Sequence, residues 1–171
     1  DFFVLLLALG SGVFGVFVVR DLFFLFFFYE LAVLPMYLLI GVWGSSTDFG
    51  TFFRSKEYAA MKLVMYSFGG SALVLLGMLA LYFGSGLNTF ELGRLMTADF
   101  SSGLQEVVFP ILFVGFAILA GMWPFHTWSP DGHVAAPTAV SMVHAGVLMK
   151  LGAYGIIRVG MVLLPEGAQF W

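Results

Sequence analysis

Three ionisable residues lie well inside long apolar segments of this chain: Glu30, Lys62 and Lys150. A charged side chain near the centre of a bilayer costs at least ~2.5–3.5 kcal/mol, so each of these residues needs a partner or a function. Carboxylates and amines that are removed from water can exchange protons near neutral pH. These residue types, in this setting, indicate proton transfer within a membrane.

Lys150 lies near the middle of its apolar segment, too deep for its side chain to reach the lipid headgroups. On a helix it shares a face with small residues such as Gly146 and Ala153, which leave space for water. His144 precedes it by six residues and therefore faces a different direction. A neutral histidine can relay protons, but one that is bonded to a backbone carbonyl fits the sequence equally well.

Purely structural roles could also explain Glu30 and Lys62. Glu30 could form an ion pair that fixes two helices, and Lys62 lies close enough to its segment boundary to extend towards the headgroups. The functional reading pairs Lys62 with Glu30 and makes both part of a proton pathway.

The composition excludes an ordinary water-soluble domain. Hydrophobic residues make up 61% of the 171 residues and charged residues only 10%, against about 45–50% and about 25% in soluble domains. There is no cysteine, and the net charge of -3 has no basic run that would bind nucleic acid. His126, Asp131 and His133 match no zinc-binding spacing, and no nucleotide-binding or cofactor motif is present, so we expect neither metal nor cofactor on this chain.

Five apolar segments predict an all-α membrane bundle, since open strands cannot satisfy their backbone groups in hydrocarbon. The predicted helices cover residues 2–19, 22–45, 58–83, 106–123 and 138–164. A polar loop is predicted at 45–57, and a surface loop with a short amphipathic helix near 89–97 is predicted within 84–105. We expect the fourth helix to be broken near Gly121 and Pro124.

The sequence starts at Asp1 and enters an apolar run at once. We therefore expect residues 1–171 to form a single transmembrane domain that is a fragment, with ends at helix boundaries. An odd number of helices is expected of one half of an inverted-repeat transporter.

Three stretches resemble the antiporter-like membrane subunits of respiratory complex I (NADH:quinone oxidoreductase), of the subunit M type. They are YELAVLPMYLLIGVWG, YAAMKLVMYSFGGS and PFHTWSPDGHVAAPTAVSMVHAGVLMKLGAYG. The resemblance implies the first of two inverted five-helix repeats, with Glu30 and Lys150 at the family's glutamate and central lysine and Lys62 at a lysine often found on the next helix. It implies a proton pathway in which a Glu–Lys pair controls the central lysine.

The resemblance also implies a cellular location and a set of partner subunits. We expect a multi-pass protein of the bacterial inner membrane, with other membrane subunits of the complex as partners and the redox cofactors on other subunits. Similar chains occur in multisubunit cation/proton antiporters and membrane-bound hydrogenases, so whether H⁺ or Na⁺ moves stays open. An alternative that involves no ion transport is a structural membrane subunit, in which the charged residues only hold helices together.

The chain departs from the family pattern at Leu119, where a lysine usually precedes the Pro-x-His-x-Trp stretch. The usual partner of the glutamate is therefore missing. We hypothesise that Lys62 replaces it as the partner of Glu30, and that His126 or His144 helps to carry protons.

Overall fold

Long apolar helices account for most of the computed structural model, which describes residues 1–48 and 53–171. In chain order the longer helices are α1 (Phe2–Val18), α2 (Leu22–Trp43), α3 (Lys56–Ser85) and α5 (Ser102–Ala120). Shorter helices follow, namely α6 (Trp128–Ala135), α7 (Thr138–Val143) and α8 (Met149–Gly155), with α4 (Leu92–Leu95) before α5 and α9 (Pro165–Phe170) at the end. Two π-helical turns, π1 (His144–Leu148) and π2 (Ile156–Met161), flank α8.

One continuous helix, Thr138–Met161, is formed by α7, π1, α8 and π2, and we call it the last long helix. Within the described residues, four helices are long and apolar enough to cross a membrane: α2, α3, α5 and the last long helix. α1 is apolar but has 17 residues and is shorter than these four. The chain is therefore a mostly helical membrane protein.

The helix boundaries follow from local chemistry. The side chain of Asp21 accepts hydrogen bonds from the backbone N–H groups of Phe23 and Phe24 and so caps α2. Ser55 caps α3 in the same way, and α5 ends at Gly121, whose φ of 67° is in the left-handed region that favours glycine. The predicted break after the fourth helix is thus confirmed at Gly121.

Two predicted loops contain more structure than expected. Strands β1 (Thr47–Asp48) and β2 (Phe53–Arg54) pair antiparallel within the predicted loop 45–57, of which residues 49–52 lie outside the described part. The short helix predicted near 89–97 is confirmed as α4. It is not wholly at the surface, because the backbone of Leu92 bonds to the carbonyl of Arg20 at 2.8 Å and the Leu92 side chain is buried.

The helices pack in chain order, α1 on α2, α2 on α3, α3 on α5, and α5 on α8. Glycines allow the close approaches. A Cβ at Gly70 of α3 would lie 2.9 Å from the carbonyl oxygen of Gly115 on α5, and a Cβ at Gly152 would lie 2.6 Å from the Ala120 nitrogen. α6 folds back against α3 and so brings the segment after the break beside the first turns of that helix.

Candidate functional site

Glu30 lies in the middle of α2 and is half-buried. Its carboxylate Oε1 accepts a hydrogen bond from the hydroxyl of Ser71 on α3. Ser71 is itself buried, 5% exposed. The carboxylate that the sequence placed in a proton pathway is therefore held by a neutral group within the interface of two membrane helices.

Leu119 occupies the position where the resembling family usually has a lysine. Its side chain is buried beside Gly70, the neighbour of Ser71, since a Cβ at Gly70 would lie 3.0 Å from Leu119 Cδ2. The hydroxyl of Tyr29, the neighbour of Glu30, lies 3.5 Å from the Leu119 carbonyl oxygen. Position 119 thus adjoins the Glu30–Ser71 contact, and in this chain it contributes an apolar side chain there.

Lys62 has a different partner from the one expected. Its Nζ lies 2.8 Å from Asp131 Oδ2 of α6 and donates a second hydrogen bond, of 2.9 Å, to the carbonyl of Thr127. Arg54 Nη1 reaches the same Asp131 oxygen at 3.3 Å. The hypothesis that Lys62 pairs with Glu30 is corrected: Ser71, which binds Glu30, follows Lys62 by nine residues, about 13 Å further along α3.

From the sequence, the only role suggested for Asp131 is that of a metal ligand. The structure makes it the anion shared by Arg54 and Lys62, with the side chains of Lys62 and Asp131 only 17% and 15% exposed. This ion pair fixes α6 against the first turns of α3. No spacing in the sequence indicates it, because it depends on α6 folding back across α3.

Trp128 ties the other side of α6 to the end of α5. Its indole N–H donates a 3.0 Å hydrogen bond to the carbonyl of Ile118, and the side chain is 2% exposed. The carbonyl of Ile118 is one of the last of α5 and also accepts a 3.1 Å hydrogen bond from the backbone N–H of Gly121, so the indole is its second donor. The segment after the break is therefore anchored on both sides.

The three histidines have distinct environments. His126 is exposed in the stretch between α5 and α6. His144 is fully buried, and its ring stacks with Trp128, 5.4 Å away, and with His133, 4.2 Å away, by ring centroids. Within residues 1–48 and 53–171, no group of three or more His, Asp or Glu side chains could hold a metal ion.

The sequence pointed to His133 only as a possible metal ligand and gave no sign of its contact with His144. Its Nδ1 lies 3.1 Å from Ser141 Oγ, and its ring stacks on His144. Burial lowers the pKa of His133, because desolvation disfavours the imidazolium form. The two histidines are separated in sequence by the helix break at Pro137, so neither helical nor strand spacing connects them.

Lys150 lies in α8, on a different face of the last long helix from the buried His144, as the six-residue separation predicts. Contrary to the expectation of burial, Lys150 is exposed within the described chain. The physical reason is that this helix uses its other face, with Gly152 and Gly155, to pack on α5. The described residues bring Lys150 into contact with neither Glu30 nor Lys62.

Known proteins share both the sequence and the fold. The chain is 38% identical over 182 residues to NADH-quinone oxidoreductase subunit M of Rhodobacter capsulatus, covering 99% of this chain and 34% of that protein. It is 40% identical over 166 residues to NAD(P)H-quinone oxidoreductase chain 4 3 of Picosynechococcus, covering 96% of this chain and 29% of that protein. The chain therefore spans about a third of the length of the curated relatives that it matches.

Among solved structures, the chain matches one of respiratory complex I from Thermus thermophilus with bound NADH, with a TM-score of 0.86 and 28% identity. The match covers 98% of this chain and 34% of that chain. Residues 19–171 match the family described as NADH:quinone oxidoreductase/Mrp antiporter, TM. Since this match extends over most of its length, the chain belongs to the family of transmembrane subunits of NADH:quinone oxidoreductases and Mrp antiporters.

Proposed function

We propose that this chain is part of a proton-translocating membrane subunit of NADH:quinone oxidoreductase. The observation that carries the proposal is the Glu30 carboxylate, which lies within a membrane-spanning helix and is bonded to the neutral Ser71 hydroxyl. A carboxylate that is locked in an ion pair keeps its charge. One that is held by a hydroxyl can gain and lose a proton, because the hydroxyl can accept a hydrogen bond as well as donate one.

Lys150 is the proposed central proton carrier. It lies within the last long helix, on the face that the described residues leave exposed. An amine at this depth requires polar partners or water, and the remainder of a subunit three times this length supplies the covering surface. A change of charge at Glu30 then controls the transfer of a proton to or from Lys150.

Lys62, His126 and His144 complete the proposed set. Lys62 acts through its ion pair with Asp131, which holds the segment after the helix break in place beside α3. His126, exposed before α6, and His144, buried in the last long helix, are the proposed carriers of protons between the surface and the interior. No metal or cofactor takes part on this chain in the proposed mechanism.

The proposed architecture is a single transmembrane domain of five spanning helices, residues 1–171, which forms one half of an inverted-repeat, antiporter-like fold. α1 is the fifth span, since its 17 residues are about 26 Å long and the shortest transmembrane helices have ~17 residues. α5 is the proposed fourth helix, which is broken near Gly121 and Pro124.

The proposed setting is a bacterial inner membrane, with other membrane subunits of complex I as partners. The chain is then a component of a redox enzyme whose NADH and quinone chemistry takes place on other subunits, while this one moves protons. The names of the curated relatives, NADH-quinone oxidoreductase subunit M and NAD(P)H-quinone oxidoreductase chain 4, support this setting.

A subunit of a multisubunit cation/proton antiporter is the second candidate, and the family description, which includes Mrp antiporters, favours it. A membrane-bound hydrogenase subunit shares the same chemistry. Neighbouring genes discriminate these candidates, because redox subunits accompany a complex I subunit and antiporter subunits accompany an Mrp subunit. A purely structural subunit predicts no loss of ion movement when the charges in the membrane are removed.

The test replaces Lys150 in the full-length subunit within its assembled complex. We expect Lys150→Ala to abolish most NADH-driven proton uptake into membrane vesicles. Lys56→Ala is the matched control, because Lys56 begins α3 and its side chain donates to the Val42 carbonyl at 2.9 Å. Normal pumping by the Lys150 variant would refute the proposed function. Pumping that is driven by a Na⁺ gradient instead of NADH would favour the antiporter.

A further inference from the structure

His144 is buried without hydrogen-bonding partners. Its side chain is 0% exposed, and neither Nδ1 nor Nε2 bonds to any group of the described residues. A neutral imidazole carries one N–H donor and one acceptor nitrogen, and buried polar groups are nearly always hydrogen-bonded. A histidine used only to fill space would be better replaced by phenylalanine, so the ring nitrogens indicate contact with water or with a transferred proton.

The neighbour of His144 is another imidazole. The rings of His133 and His144 stack with centroids 4.2 Å apart and an interplanar angle of 29°, and Trp128 also stacks on His144, at an interplanar angle of 24°. Ring N–H bonds lie in the ring plane, so stacked imidazoles cannot bond directly to each other. A water molecule at the ring edges can connect them, as buried waters do when two or more polar groups are within reach.

His133 reaches the surface of the protein. It lines an open cavity of about 520 Å³, together with Ser45, Thr138 and Ser141. Ser45 lies just after the end of α2, and Thr138 is the first residue of the last long helix, so the cavity lies where two spanning helices end. Water therefore reaches this cavity from one side of the membrane.

His144 lies beside the inner end of the cavity, whose lining on the last long helix extends from Thr138 to Ala145. It follows Thr138 by six residues, about 9 Å along the helix axis, and Lys150 follows at the same interval again. The π-helical turn π1 begins at His144, and such turns are frequent at functional sites. The two histidines thus cover the first part of the distance between the membrane surface and Lys150.

We propose that His133 and His144 form a stacked proton relay, which takes protons from the cavity beside Ser141 into the membrane span. The proposal rests on the proposed function. A proton from cavity water passes through the Ser141 hydroxyl to His133 Nδ1, and His133 releases a proton from Nε2 to a bridging water. His144 accepts it at one ring nitrogen and releases a proton from the other to water on the way to Lys150. Each ring then returns to its first tautomer by proton exchange with water.

Charge and position support a one-proton relay. Two imidazolium rings stacked at this distance repel each other, so only one of the pair carries the extra proton at a time. The charged groups nearby are Asp131 on α6 and Lys62 on α3, and these two form an ion pair with each other. Burial lowers the pKa of His133, which favours the neutral form of this ring.

The experiment uses the full-length subunit in its assembled complex, reconstituted into liposomes, and measures NADH-driven membrane potential per electron transferred. His133→Phe and His144→Phe keep an aromatic ring in the stack and remove proton exchange. We expect each to lower charge translocation by about a hundredfold, the lower end of what a positioned acid–base group contributes. The thermal stability of each complex is expected to match that of the parent.

Chemical rescue separates proton transfer from packing. His133→Ala leaves a space that is open to the cavity, so added imidazole is expected to restore translocation in this variant. The same imidazole is expected to have no effect on His133→Phe, in which the ring space is filled. Absence of rescue in His133→Ala, or normal translocation by both Phe variants, would overturn the relay.

Lys150→Ala, measured in parallel, distinguishes the relay from the function on which it rests. If Lys150→Ala loses translocation and both histidine variants keep it, the relay is wrong and the proposed function stands. If Lys150→Ala translocates normally, the proposed function itself fails.

Discussion

Lys62 Nζ and Asp131 Oδ2 lie 2.8 Å apart, and this ion pair joins the first turns of α3 to the helix that follows the break. Both side chains are less than a fifth exposed. The energy of such a pair is therefore less weakened by solvent than that of a surface pair, and the loss of either partner leaves a poorly solvated charge.

A double-mutant cycle should reveal this coupling. We expect Lys62→Met and Asp131→Asn each to destabilise the full-length subunit, and the double variant to lose less than the sum, with a coupling energy of about 1–3 kcal/mol. The measurement is the free energy of unfolding in mixed detergent. Arg54, which also contacts Asp131, remains in every variant and serves as the common background. Additive losses would show that the two charges act independently.

Position 119 offers a test of how Glu30 is stabilised. We expect Leu119→Lys to be accepted in the presence of Glu30, because the new amine would lie beside the Glu30–Ser71 contact and form an ion pair. In a Glu30→Gln background the same lysine has no counter-charge and should cost ~2.5–3.5 kcal/mol. The yield of assembled subunit and its thermal stability measure the difference.

Leu112→Lys is the matched control for this substitution. Leu112 is on α5 like Leu119, two turns away on the same face, and is equally buried, against Gly77 of α3. A lysine there should be destabilising with or without Glu30. Equal tolerance at positions 112 and 119 would contradict a specific role for the Glu30 carboxylate.

The sequence predicted the helices well because their signals are local. Apolar runs indicate the membrane segments, and Gly121 marks a helix end where a break was expected. α5 begins earlier than predicted, at Ser102, because four residues before the apolar run, three of them polar or small, are included in its first turns. The π-helical turns have no sequence signal of their own, and they were not predicted.

The site was less predictable because it depends on which helices meet. Glu30 and Lys62 lie on adjacent helices, α2 and α3, but Glu30 is level with Ser71 of α3, nine residues beyond Lys62. The sequence alone does not show this difference in depth. The stack of His133 on His144 forms because the chain reverses at Pro137 and places α6 against the start of the last long helix. Sequence spacing predicts faces within one helix, whereas these contacts join separate elements.

The lowered pKa of His133 gives a pH dependence of stability. Since burial disfavours the imidazolium form, the folded-state pKa lies below the unfolded value of ~6.5. The unfolded chain then binds more protons below that pH, so the stability that neutral His133 supports is present above about pH 6.5 and is lost as pH falls through the folded pKa.

We therefore expect the melting temperature of the parent protein to fall more steeply than that of His133→Phe between about pH 7.5 and about pH 5.5. The phenylalanine keeps the ring and does not titrate. The comparison is made by differential scanning fluorimetry on the purified complex in one detergent. Parallel curves for the two proteins would show that His133 has the same pKa in both states.

Two glycines of the last long helix, six residues apart, should respond in opposite ways to the same substitution. A Cβ at Gly152 would lie 2.6 Å from both the Ala120 nitrogen and the Phe116 carbonyl oxygen of α5, and backbone atoms cannot move aside as a side chain can. We expect Gly152→Ala to destabilise the subunit by about 1–3 kcal/mol through overpacking. A Cβ at Gly146 would have no atom within 4 Å, so Gly146→Ala should be neutral or stabilising by up to about 1 kcal/mol, the gain in helix propensity. The measurement is the free energy of unfolding of each variant, made in the full-length subunit. Equal losses at the two positions would mean that the close approach of α8 to α5 does not depend on the missing side chain at Gly152.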